Sequence, residues 1–204
     1  MHNILLPLGT SIHAESTLAY TIAFASYYKS TIYVIDAYPA HSTMSTLANV
    51  GALLQEDNIK KIKALVAKVV PKPSKIKIVS SERDLIGTIK NLDEKIGLDL
   101  IVTAPLNNEI NDEVFLGRIA GSVIKRTNIP VLVAPLDKEF SPPKRMLLAF
   151  KTGEVKSSST LEALVQIQDK FNSKLKLLLV KVPGFANRNH HISDELLKRS
   201  SKLL

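Results

Sequence analysis

The chain of 204 residues contains no cysteine and no tryptophan, has 8 glycines, and is only 5% aromatic. Without cysteine it forms no disulfide, offers no thiolate to a metal and has no cysteine nucleophile. No apolar run approaches the roughly 18–20 residues of a membrane span. The opening MHNILLPLGT lacks a basic segment and carries Pro7 and Gly9 within its apolar part. It therefore reads as a first strand and turn rather than a signal peptide, and the chain reads as cytoplasmic. The histidines are His2, His13, His41 and the pair His190 and His191. No two lie three or four apart on one helix with a carboxylate, so no metal site is expected. No serine sits in a Gly-x-Ser-x-Gly elbow, so no hydrolase triad is expected either. These absences leave no catalytic residue to name, and the chain does not read as an enzyme.

What is present is a large apolar fraction, 45%, ample for a packed core. Charge is uneven. Residues 1–137 carry 14 basic and 13 acidic side chains, whereas residues 138–204 carry 13 and 6. A basic region of this kind attracts acidic proteins, nucleic acid or anionic surfaces. With no tryptophan anywhere, nucleic acid is the less expected partner, and a solvated lysine-rich surface is the simpler reading.

Five β-rich runs, Ile4–Leu8, Ile32–Ala37, Lys75–Ser80, Leu100–Ala104 and Val131–Ala134, alternate with helical stretches at Ala14–Tyr28, about Thr43–Val69, Arg83–Lys95 and Glu113–Thr127. Continuous apolar runs such as Leu100-Ile101-Val102 suit parallel strands covered on both faces. Leu18, Ile22 and Ala25 line one face of the first helix. Asp112 is placed to cap the last helix, and Pro130 separates it from the final strand. The order predicts a Rossmann-like, doubly wound α/β fold with a five-stranded parallel sheet over residues 1–137.

After a Pro-containing linker at 138–144 the pattern restarts. Arg145–Phe150 reads as a strand, Ser158–Phe171 as a helix and Leu175–Val182 as a strand. Ser-Thr-Leu opens both STLAYTIAFASYYKSTIYVIDAYP (16–39) and STLEALVQIQDKFNSKLKLLLVKV (159–182), and Ser30 and Ser173 precede the second strand of each. Residues 145–204 are thus expected to be a partial second copy, β-α-β plus the start of a helix at Ser193–Leu204.

Three stretches, NILLPLGTS, DLIVTA and FLGRIAGSVIKRTNIPVLVAP, together resemble the universal stress protein family in its tandem form. The resemblance implies a stress-response role and, in many members, ATP bound through a Gly-x2-Gly-x9-Gly-Ser/Thr pattern at a helix N-terminus. Carried over residue by residue, the pattern falls on Ala104, Asn107, Gly117 and Arg118, so Gly117 alone matches. The aspartate that usually follows the family's first strand corresponds to Gly9, and Ala37 ends the second strand beside the same site. Asp36 either faces that cleft, faces solvent or caps; His13 either lines the cleft or sits in an exposed turn. Gly121 and Ser122 read as helix packing. The expectation is a non-catalytic regulator with a degenerate nucleotide site and no cofactor. The alternatives are an ATP or AMP switch rebuilt around Asn107 and Arg118, and an interaction module binding an acidic partner through the basic C-terminal region, with Lys174, Lys176 and Lys181 among its cations. The family resemblance also implies a homodimer through Val131, Leu132, Val133 and Ala134.

Overall fold

The computed structural model describes residues 1–9, 12–36, 48–70, 75–79, 84–105, 116–150 and 161–179, with backbone only at 48–55, 150 and 179. They divide into two units, Met1–Phe140 and Ser141–Leu204.

In the first unit, strands β1 (Asn3–Leu8), β2 (Thr31–Asp36), β3 (Ile76–Val79), β4 (Leu100–Thr103) and β5 (Val131–Val133) alternate with helices α1 (Ala14–Tyr28), α2 (Ala48–Val69), α3 (Leu85–Ile96) and α4 (Gly117–Arg126). The strands form one sheet in the order β3-β2-β1-β4-β5, parallel throughout. Every residue of β4 and five of six in β1 are buried. That is why these strands are continuous apolar runs rather than alternating ones. On one side of the sheet, Leu5, Tyr33, Ile35 and Ile101 pack with Ile86 and Ile89 of α3 and Val123 of α4.

Asp84 caps α3, its carboxylate accepting from the Gly87 amide at 3.0 Å. The helix therefore starts two residues after the expected Arg83, which lies outside the described residues. For α4 the described helix has Leu116 at its N-cap and no side-chain cap bond; Asp112 lies outside the described residues. An added Cβ at Gly121 meets nothing within 4 Å, so packing does not require glycine there, contrary to the expectation. Gly121→Ala should therefore raise unfolding stability by about 0.5–1 kcal/mol through helix propensity. Urea unfolding checks this, and a loss of stability would mean a hidden close contact.

The segment after β5 is not a free tether. Leu136 is buried, and Phe140 meets three rings of α1, with centroids 5.3 Å from Tyr20, 5.5 Å from Phe24 and 5.7 Å from Tyr27. Phe140, expected inside a linker, thus closes over the first helix.

The second unit contains β6 (Arg145–Phe150), α5 (Glu162–Phe171) and β7 (Lys174–Leu179), with β6 and β7 parallel. Its local bonds repeat those of the first. The Ser30 hydroxyl donates to the Met1 carbonyl, and the Ser173 hydroxyl to the Pro143 carbonyl, each acceptor lying two residues before a strand. Left-handed Lys29 and Asn172 end the preceding helices. The Ser30 and Ser173 amides reach back to Ala25 and Gln168.

Candidate functional site

In an open parallel sheet, ligands bind beyond the carboxyl ends of the strands where the winding reverses. Here that point lies between β1 and β4, since β1 continues to β2 on one side while β4 leads away to β5 on the other. Strand chemistry opens the crevice. The Thr31 amide donates to His2 and the Asp99 amide to Asn3, so even-numbered residues of β1 face β2 and odd ones face β4. Pro7 is odd and lacks an N–H, which removes one rung on the β4 side. Pairing between β1 and β4 covers only Ile4 with Leu100 and Leu5 with Ile101.

Around this crevice stand Gly9, half-buried after β1, and Ala104, half-buried after β4. Gly117 opens α4 with φ +65°, a backbone conformation that any residue with a Cβ adopts at a cost. Arg118 follows, exposed, and no ion pair joins it to another described residue. Ala37 and Asn107 lie outside the described residues. The structure brings Gly9 and the first turn of α4 together: a Cβ built on Gly9 would stand 3.8 Å from the Cδ1 of Ile119. An apolar branched side chain therefore faces the end of β1, where the family pattern has an aspartate. Ile119 was invisible in the sequence because it falls one residue beyond the family pattern.

For two further polar groups the structure removes the exposed alternative. Asp36 is 6% exposed and accepts from Asn58 of α2 at 3.0 Å. It does not face solvent, and a buried carboxylate needs a donor, which α2 brings. His13 is not in an open turn: its side chain is 19% exposed, and its Nδ1 lies 3.0 Å from Oδ1 of Asp137. The Ser16 hydroxyl donates to the same oxygen at 3.3 Å. Asp137 itself is left-handed, φ 52°.

The hydrogen bond from His13 holds the Asp137 carboxyl below its ordinary 3.8. A carboxyl whose pKa is depressed by folding contributes stability above its unfolded value and loses it as pH falls through the folded one. Wild-type stability should thus fall below about pH 4 more steeply than that of Asp137→Asn, compared by acid titration of the unfolding midpoint. Parallel curves would mean that the contact does not persist in solution. Among the described residues no group of three or more His, Asp or Glu is placed to hold a metal ion, and no helix is long and apolar enough to cross a membrane.

Comparison with known proteins agrees with this architecture. The universal stress protein family model matches residues 1–135. Among solved structures, the universal stress protein UspA from Lactobacillus plantarum is 18% identical, with a TM-score of 0.53, covering 65% of this chain and 96% of its own. Hypothetical protein MJ0577 is 22% identical, with a TM-score of 0.54, covering 68% of this chain and 98% of its own. No curated protein matches. The Ser141–Leu204 unit lies beyond the family match. With the family model matching residues 1–135, well over half of its length, the chain belongs to the universal stress protein family.

Proposed function

We propose that this protein is a non-catalytic regulator of a stress response whose first-unit nucleotide site is degenerate. The observation that carries the reading is the approach of Ile119 to Gly9. A nucleotide site needs a polar group to orient ribose or metal and exposed amides to receive phosphate. Here Gly9 offers no polar side chain at the first place, with the hydrocarbon of Ile119 beside it, and Arg118 replaces the family's small hydroxyl next to Gly117. The test is restoration. The variant carrying Gly9→Asp, Ala104→Gly, Asn107→Gly and Arg118→Ser should gain Mg-ATP-dependent stability that the native chain lacks. A native chain stabilised as much as the restored one sinks the reading.

One feature favours the rebuilt ATP or AMP switch: Gly117 keeps the left-handed conformation that aims backbone amides at an anion, with the Arg118 guanidinium exposed beside it. That reading requires Arg118 and Asn107 together to bind phosphate. It fails if Arg118→Ala leaves nucleotide affinity unchanged.

The same proposal includes a homodimer through β5, a sheet edge. The Ile101 amide donates to Pro130, and the Ala134 amide to Thr103. Alternation then turns the N–H and C=O of Val131 and Val133 outward. Ala134 is fully buried, past the strand, with its amide committed inward, so the pairing falls to Val131–Val133. A monomeric mass by light scattering at micromolar concentration removes the dimer from the account. The second unit is taken as a partial repeat of the first, a reading that the matched serine bonds and helix ends support. Its basic character offers a separate surface for an acidic partner.

A further inference from the structure

The β6–β7 and β1–β2 pairs share one register: Arg145 stands to Lys174 as Asn3 does to Thr31, and so on to the strand ends. Counted along both, Leu147 takes the place of Leu5, Lys176 that of Tyr33, and Leu178 that of Ile35. In the first unit those three positions are 0%, 8% and 0% exposed, roofed by Ile86 and Ile89 of α3 and Val123 of α4. In the second unit they are open. Leu147 is 62% and Leu178 44% exposed, and Lys176 is exposed between them. Arg145, Ala149 and Lys174 share the face by strand alternation and are exposed as well. On the opposite face none of the described side chains, Met146, Leu148, Leu175 and Leu177, is exposed. A single crossover helix covers one face of a parallel pair, and burial marks which face that is.

We propose that this open face of β6 and β7 docks an acidic amphipathic helix from a partner protein. The proposal deepens the reading of the basic region as a partner-binding surface, by naming the face and the kind of element that covers it. A helix is the occupant because helices roof the same three positions in the first unit. Acidity follows from what changed. Asn3, Thr31 and Tyr33 are uncharged, whereas their counterparts Arg145, Lys174 and Lys176 are cationic. A lysine covered by a docked helix needs a carboxylate opposite it. A second copy of the same face would instead set cation against cation. Nucleic acid would leave Leu147 and Leu178 without apolar partners at the centre of the contact.

The absence of cysteine makes the test direct, since Leu147→Cys or Leu178→Cys introduces the chain's one thiol. In the full chain that thiol should react with a small maleimide at a rate close to that of a free peptide thiol, independent of protein concentration. The probe is a synthetic helical peptide of about 14 residues, with leucines at i, i+3, i+4 and i+7 flanked by glutamates. It should protect the thiol. Its affinity should fall at least about tenfold in Lys176→Glu, and again on raising ionic strength. The same peptide with lysines for glutamates should not bind.

Slow labelling at every concentration means the chain covers this face itself, and slow labelling only at high concentration means self-association. Either overturns the proposal. So does equal binding of the lysine peptide, or displacement of the acidic peptide by a single-stranded oligonucleotide. Salt-sensitive binding that leaves the thiol unprotected overturns the face but keeps an acidic partner elsewhere on the basic region. No binding at all removes both.

Discussion

Ile101→Ala is expected to destabilise the first unit by about 3–4 kcal/mol, near the upper part of the range for truncating a buried isoleucine. Ile101 is 0% exposed and pairs in register with Leu5 on one side and Val131 on the other. The same cluster brings Tyr33 and Ile35 from β2, Ile86 and Ile89 from α3, and Val123 from α4. Five elements besides its own contribute to this cluster, so the surroundings cannot collapse inward without moving the sheet, and most of the cavity remains. The chain supplies its own reporter. All five tyrosines precede residue 39, so tyrosine fluorescence reads unfolding of the first unit alone. Ile124→Ala, on the exposed face of α4, is the control and should change stability by no more than about 0.5 kcal/mol. A loss under about 1 kcal/mol at Ile101 would contradict the packing described.

Phe140→Ala is expected to cost about 2–3 kcal/mol in the same assay, less than a fully buried phenylalanine because its ring is half-buried. Its edge-on contacts with Tyr20, Phe24 and Tyr27 lie on the helix that follows β1. Removing the ring releases the strap that runs from Ala134 to Phe140 over α1. It should also shift the tyrosine emission itself, because two of the three rings it touches are tyrosines. Glu139→Ala, one residue earlier and exposed, should stay within about 0.5 kcal/mol. If the two substitutions behave alike, residues after Asp137 are a tether and nothing more.

These two sites show which features the sequence reveals and which it hides. Helix α1 was legible to its last residue at both ends, because Leu18 and Ala25 recur with helical spacing and both are buried. Strand β4 was legible because a run of apolar residues without alternation means burial on both faces. Strand ends lie about one residue from the expected ones, as where Lys75 precedes β3 rather than opening it; end residues carry too little burial to mark themselves. Phe140 reads as part of a linker because its partners lie more than a hundred residues earlier, and no local period encodes such a contact. The His13–Asp137 bond, 124 residues apart, and the Asn58 donor to Asp36 were hidden for the same reason. Gly121 misled in the opposite direction: a small residue on a helix suggests close packing, yet its neighbourhood is open. At the crevice Ile119 comes beside Gly9 only through the fold, and no sequence pattern marks it.

The proposed function rests on a degenerate nucleotide site at the ends of β1 and β4. The most direct measurement is tyrosine-monitored thermal unfolding of the native chain with and without millimolar Mg-ATP. A ligand at about a hundred times its dissociation constant adds roughly 2.7 kcal/mol when it binds only the folded state, a shift of roughly 5–10 °C for a unit of this size. The account predicts that the two melting curves coincide. A shift of that size, abolished by Arg118→Ala, would contradict it and establish a rebuilt nucleotide site in its place.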